Sequence, residues 1–186
     1  MALKIDLEKV YDKLEWSFIR VILFRANFPA DIIDIIMSCV STVSTSILFN
    51  GEALDLRFPL REIRQGDPLS PYFFILCMDF LGQLIEEKCN AKLWQLFKAS
   101  QSGLAFSHFL FTDDLIFFAK ADGANCSAIR DVLDEFYYLS RQTVSESKSR
   151  VYFSSNVNKD TRESLCDILG FASTPFLDKY LGFPLK

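Results

Sequence analysis

Two short apolar runs, residues 106–111 and 115–119, meet at Thr112-Asp113-Asp114, and this junction constrains the fold more than any other stretch of the chain. Adjacent carboxylates between hydrophobic segments are expensive to bury, so they demand water or a cation beside them. Apolar runs of this length around a polar break predict a β-hairpin with its acidic residues at the bend. Asp6 ends another strand candidate, residues 2–7, which an antiparallel sheet can bring beside that hairpin. Three converging carboxylates would suit Mg²⁺, a hard ion that prefers oxygen ligands and keeps phosphates in its shell. For a bare Asp-Asp pair, a solvated turn is the commoner outcome.

The rest of the chain alternates helix and strand signals without a regular βαβ rhythm. Helical spacing of Phe18, Ile19, Ile22 and Ala26 predicts a helix over residues 13–27, and Pro29 separates it from a second over 31–43. Residues 44–49 and 53–58 flank Asn50-Gly51, a pair suited to a tight turn with positive φ, and predict a hairpin. Ser70-Pro71 reads as an N-cap followed by proline at the first helical position, opening a helix to about residue 88 whose apolar first turns should be buried. Ile129, Val132, Leu133 and Phe136 mark a further helix, residues 151–154 a strand, and Asp160-x-x-Glu163 a capping box before a helix that ends at Gly170. The expected fold class is α+β, a small antiparallel sheet with helices packed on one face.

Half of the 186 residues are hydrophobic, which excludes a disordered chain, and the length suits one domain, taken as residues 1–186. The formal net charge of −4 argues against a self-sufficient nucleic-acid binder, whose affinity for phosphates needs Lys and Arg. Five dispersed cysteines form no C-x-x-C pair, as in a reduced, intracellular protein, and no apolar run approaches the roughly 18 residues of a membrane span. No basic cluster distinguishes nucleus from cytoplasm.

Five motifs in order then carry a resemblance: Lys4-Ile5-Asp6-Leu7-Glu8-Lys9-Val10-Tyr11-Asp12, Ile63-Arg64-Gln65-Gly66-Asp67-Pro68-Leu69-Ser70-Pro71, Phe111-Thr112-Asp113-Asp114, Ser147-Lys148-Ser149 and Tyr180-Leu181-Gly182. Together they resemble the successive motifs of reverse transcriptases, especially the plant lineages of non-LTR (LINE-like) retrotransposons, over essentially the whole chain. The resemblance implies a polymerase palm. It assigns Asp6, Asp113 and Asp114 to two Mg²⁺ ions, with Mn²⁺ as a substitute, for attack of a primer 3′ hydroxyl on a deoxynucleotide over an RNA template. Lys148 would protonate the pyrophosphate leaving group. Leu7 and Tyr11 would bind the nucleotide, Tyr11 rejecting a 2′ hydroxyl, and Gln65 and Gly66 would contact the nascent base pair. Arg64 would touch phosphate, and Tyr180, Leu181 and Gly182 would support the primer terminus.

The bland readings stand beside these: Tyr11 as a core aromatic, Arg64 and Lys148 as solvated surface cations, Tyr180-Leu181-Gly182 as a packing corner. Asp67-Pro68 reads as a rigid turn, His108 as a hydrogen-bonded strand residue, and Phe73-Phe74 as core. Fingers and thumb segments of this family have no counterpart in the motifs above. Thr112 stands where alanine is usual, and Arg141-Gln142 where a Gly-Leu turn is usual, which should strain the backbone and leaves the placement of Lys148 open. Two further hypotheses are a retrotransposon-derived remnant that folds without polymerising, and a two-metal nucleotidyl cyclase or phosphohydrolase. The Arg64 to Pro71 string speaks against the last.

Overall fold

A computed structural model describes residues 1–8, 13–58, 63, 66–98, 100, 103–111, 114–176, 179–180 and 183–184. In chain order the elements are strand β1 (Ala2–Glu8), helices α1 (Trp16–Arg25) and α2 (Ala30–Ser41), strands β2 (Leu48–Phe49) and β3 (Glu52–Ala53), and helix α3 (Ser70–Asn90). Strands β4 (Phe97–Lys98), β5 (Ala105–Phe106), β6 (His108–Phe111) and β7 (Asp114–Phe118) follow, then helix α4 (Gly123–Ser140) and strands β8 (Thr143–Val144) and β9 (Arg150–Tyr152). Helix α5 (Lys159–Leu169) and strands β10 (Ala172–Thr174), β11 (Lys179–Tyr180) and β12 (Phe183–Pro184) complete the order. The chain divides into two compact units, residues 1–8 with 78–186 and residues 9–77.

The larger unit is built on one sheet of strand order β10-β9-β1-β7-β6, with β8 also paired to β1. Only β10–β9 is parallel; the β1–β7, β6–β7, β1–β8 and β1–β9 pairs are antiparallel. Alternation along β1 sends Leu3, Ile5 and Leu7 to one face and Lys4, Asp6 and Glu8 to the other. Register places Leu115, Phe117 and Val151 with the apolar set, all without solvent exposure. Helices cover this face. A Cβ on Gly82 of α3 would lie 3.6 Å from His108 Nε2, and Ile129, Val132, Leu133 and Phe136 of α4 are fully buried. At the β6 side of the other face, Phe97, Phe106, Phe109 and Phe118 form an aromatic cluster with ring centroids 5.0–5.9 Å apart.

The smaller unit holds α1 and α2, whose buried side chains are Phe18, Ile19, Ile22, Leu23, Ile33 and Met37, with Arg20 ion-paired to Asp34 at 2.7 Å. It also holds the β2–β3 hairpin, extended by a bridge between Thr45 and Arg57. Asn50 (φ 51°) and Gly51 (φ 86°) make its turn, as the pair predicts.

Four local expectations are corrected. The run 106–111 is two strands separated by a bend at Ser107: β5 pairs with β4, and β6 with β7. Ser70 is already helical rather than the N-cap, and ahead of the helix Asp67 Oδ1 accepts from the Leu69 N–H at 2.8 Å in a turn that leads into it. The first turns of α3 are buried only in part: Phe73, Phe74 and Cys77 are inside, whereas Tyr72 and Ile75 are exposed. At α5 the cap is Asn158, accepting from the Thr161 N–H at 2.8 Å, rather than Asp160, which lies in the first turn. Asn158 holds the extended backbone just before the first helical residue, whereas Asp160 is already inside the helix.

Candidate active site

Asp6 of β1 sits directly opposite Asp114 of β7 in the antiparallel register. Residues so paired share a sheet face with Cβ atoms about 4.5–5.5 Å apart, and like charges there repel. Two ammonium groups offset that repulsion: Lys148 Nζ lies 3.6 Å from Asp6 Oδ1, and Lys4 Nζ 3.8 Å from Asp114 Oδ1. Each carboxylate retains 37% exposure, so these ion pairs are weak and exchangeable.

Lys148 reaches Asp6 through an interruption in the ladder. Along one edge of β1, β9 pairs with Ala2–Lys4 and β8 with Leu7–Glu8, leaving Asp6 between them. Residues 145–149 bulge outward at that gap and return two hydrogen bonds to the Asp6 backbone. The Asp6 N–H donates to Ser149 Oγ at 3.1 Å, and its carbonyl accepts from the Ser145 N–H at 2.8 Å. The turn closes on itself, with the N–H groups of Lys148 and Ser149 donating to the Ser145 carbonyl at 3.1 and 2.8 Å. Both serines are buried, and sequence reasoning gave neither a role; its signal would have been two serines flanking the lysine at a strand break. Lys4 was missed as well, although its position two residues before Asp6 puts it on the same face.

Upstream of the turn, Arg141 caps α4 with φ 59°, and its N–H donates to the Tyr137 carbonyl at 2.9 Å. The position has the left-handed backbone that glycine would adopt without strain. The guanidinium lies over the Tyr138 ring, 5.6 Å from its centroid.

Leu7 points to the buried face, so only its backbone is on offer to a nucleotide. Gly66 has φ 91°, a conformation that strains any other residue. Tyr180 pairs with Phe183 in the β11–β12 hairpin. Tyr11, Arg64, Gln65, Asp113, Leu181 and Gly182, with Thr112, lie outside the described residues. His108 shares a hydrogen bond between Nδ1 and Ser107 Oγ at 2.9 Å; burial lowers its pKa below the ordinary 6.5, with Glu86 opposing. Phe73 and Phe74 are core.

Asp6 and Asp114 present carboxylate oxygens from neighbouring strands on one face, a donor set that fits a hard divalent cation. Among the described residues no group of three His, Cys, Asp or Glu converges to hold a metal.

A family model described as reverse transcriptase (RNA-dependent DNA polymerase) matches residues 1–185. The chain belongs to the reverse transcriptase family. Members of that family generally use divalent metal ions. Among curated relatives, the Pol polyprotein of the type-2 retrotransposable element of Drosophila melanogaster is 30% identical over 116 residues, 62% of this chain and 10% of that one. An uncharacterized mitochondrial protein of Arabidopsis thaliana is 39% identical over 67 residues, 36% of this chain and 55% of that one. The chain thus spans about a tenth and about half of these two relatives. Among solved structures, telomerase of Candida albicans, in complex with a fragment of telomeric RNA, superposes with a TM-score of 0.62 at 16% identity, covering 85% of this chain and 27% of that one. Apo telomerase of Candida tropicalis gives 0.58 at 16% identity, over 80% and 29%. At that identity the likeness shows the fold, a polymerase palm. No helix among the described residues is long and apolar enough to cross a membrane.

Proposed function

We propose that this reverse transcriptase chain is the palm of an RNA-directed DNA polymerase from a plant-type non-LTR (LINE-like) retrotransposon, adding deoxynucleotides to a primer 3′ hydroxyl on an RNA template. The observation that carries the reading is the cross-strand pair of Asp6 and Asp114 with Lys148 3.6 Å from Asp6. Asp6, Asp113 and Asp114 would hold two Mg²⁺ ions, or Mn²⁺ in their place. When bound, such ions activate the attacking hydroxyl and stabilise the leaving oxygen of an in-line displacement.

The remaining work falls to the chain. Lys148 Nζ, already beside Asp6, donates a proton to the departing pyrophosphate. The backbone of Leu7 and the ring of Tyr11 position the sugar, while Gln65 and Gly66 contact the nascent base pair. Arg64 contacts template phosphate, and Tyr180, Leu181 and Gly182 hold the primer end. The acidic palm works with basic fingers and thumb segments that grip the nucleic acid.

The test is incorporation of labelled deoxynucleotide on a primed RNA with Mg²⁺ by the chain and by Asp113→Asn. The variant is expected to lose at least about a hundredfold in rate, the scale of removing one electrostatic stabiliser from a transition state. Equal extension by both removes Asp113 from the metal site. A folded parent that extends nothing supports the other reading, a retrotransposon-derived remnant that keeps the architecture without the activity.

A further inference from the structure

The β2–β3 hairpin of the smaller unit carries apolar side chains outward. On its second limb Leu54, Leu56 and Phe58 are 51%, 61% and 66% exposed. A two-stranded hairpin is marginal in water by itself and needs a further strand or a helix beside it for stability. The second limb has room for a strand. Arg57 is held to the first limb by two bonds: its N–H donates to the Thr45 carbonyl at 2.7 Å, and its carbonyl accepts from the Thr45 N–H at 2.9 Å. The Leu54 N–H donates to the Ile47 carbonyl at 2.9 Å. Between these rungs Ser46 faces two residues, Asp55 and Leu56, in a bulge that leaves the main-chain groups of both without a backbone partner among the described residues. Unpaired N–H and C=O groups along an edge are a template for another strand.

The charges say which strand. The segment Leu54-Asp55-Leu56-Arg57-Phe58 is complementary to itself when run antiparallel. Aligned about Leu56, Asp55 of each copy stands opposite Arg57 of the other, Leu56 opposite Leu56, and Leu54 opposite Phe58. Opposite charges directly across a pair of strands attract, and apolar pairs beside them add contact. Asp55 and Arg57 are both exposed, and neither makes an ion pair among the described residues. The alignment therefore sets two opposite-charge pairs and no like-charge pair across this edge, in a chain whose formal net charge of −4 otherwise opposes self-association. A two-fold axis through Leu56 makes the contact isologous, so it closes at two copies.

We propose that residues 54–58 are the docking strand for a second copy of this chain, giving a four-stranded β2-β3-β3-β2 sheet across a two-fold axis. Asp55 and Arg57 set the partner and the register, and the main-chain groups of Leu56 supply the hydrogen bonds at the axis. The contact lies within the smaller unit and is independent of the polymerase reading.

The test is sedimentation equilibrium of the full chain over a range of concentrations. The parent should approach twice the chain mass as concentration rises. Asp55→Arg and Arg57→Asp, each checked for fold by circular dichroism, turn two attractions into two repulsions and should dimerise about tenfold or more weakly. Mixed in equal amounts, the two variants should associate again, because each carries the charges that the other lacks at both rungs. The double variant, Asp55→Arg with Arg57→Asp, should recover the parent's dimer. Lys159→Glu, with the same change of charge as Arg57→Asp but on α5, should dimerise like the parent. A further measurement needs no variant: hydrogen exchange at the Leu56 amide should slow as the parent's concentration is raised. A parent that stays monomeric leaves this edge to a strand of another protein and overturns the proposal. Assembly beyond two copies, single variants that dimerise like the parent, a mixture that stays apart, or a Leu56 amide indifferent to concentration overturns it as well.

Discussion

At the scale of single residues, the chain carries a strain it could shed. Arg141 holds φ 59° at the end of α4. A side chain there costs on the order of 1 kcal/mol relative to glycine, reduced by the contact with Tyr138. Arg141→Gly is therefore expected to raise the chemical denaturation midpoint, and an unchanged or lower midpoint would show that the ring contact outweighs the backbone term. His108 supplies the pH dependence. Burial lowers its folded pKa below the ordinary 6.5, so the unfolded chain takes up the proton first as the solution is acidified. Its contribution to stability is complete above 6.5 and is lost as pH falls from there towards the lowered folded value. Urea titrations at neutral pH and about one unit below 6.5 should show a loss in the parent that is smaller in His108→Asn, an exchange that keeps a polar partner for Ser107.

At the scale of elements, what the sequence made legible followed from periodicity. Alternation in residues 2–7 gave β1 and the separation of Asp6 from the apolar face; Asn50-Gly51 gave the turn between β2 and β3. Caps were less legible because several short polar side chains compete for the same amide groups, and only backbone geometry decides among them. Asn158 won over Asp160 for that reason. Asn158→Ala should cost about 1 kcal/mol, roughly 2–4 °C in thermal midpoint, whereas Asp160→Ala should cost much less; scanning calorimetry on both variants separates the two caps. The excursion at residues 145–149 had no periodic signature at all. Its shape exists only because β8 and β9 both pair with β1, a relation between segments more than a hundred residues apart. Sequence could therefore name Lys148 through family likeness and could not say what brings it to Asp6.

At the scale of the whole molecule, the site couples ion binding to stability. A cation that binds the native pairing of Asp6 and Asp114 and ignores the unfolded chain stabilises by mass action, about 2.7 kcal/mol at a hundred times its dissociation constant. Thermal melts should therefore shift upward with Mg²⁺ and return on chelation, and Asp114→Asn should blunt the shift. Equal shifts in parent and variant would place the ion elsewhere. The pairing of β1 also shapes how the protein is made. Its ladder partners, β7, β8 and β9, begin only at Asp114 and beyond, about a hundred residues after β1. At typical rates of synthesis the strand leaves the ribosome roughly 5–20 s before any of them. Throughout that interval Leu3, Ile5 and Leu7 have no sheet to enter, and the nascent chain offers a sticky ribbon that a chaperone must shield or a neighbouring polysome can capture.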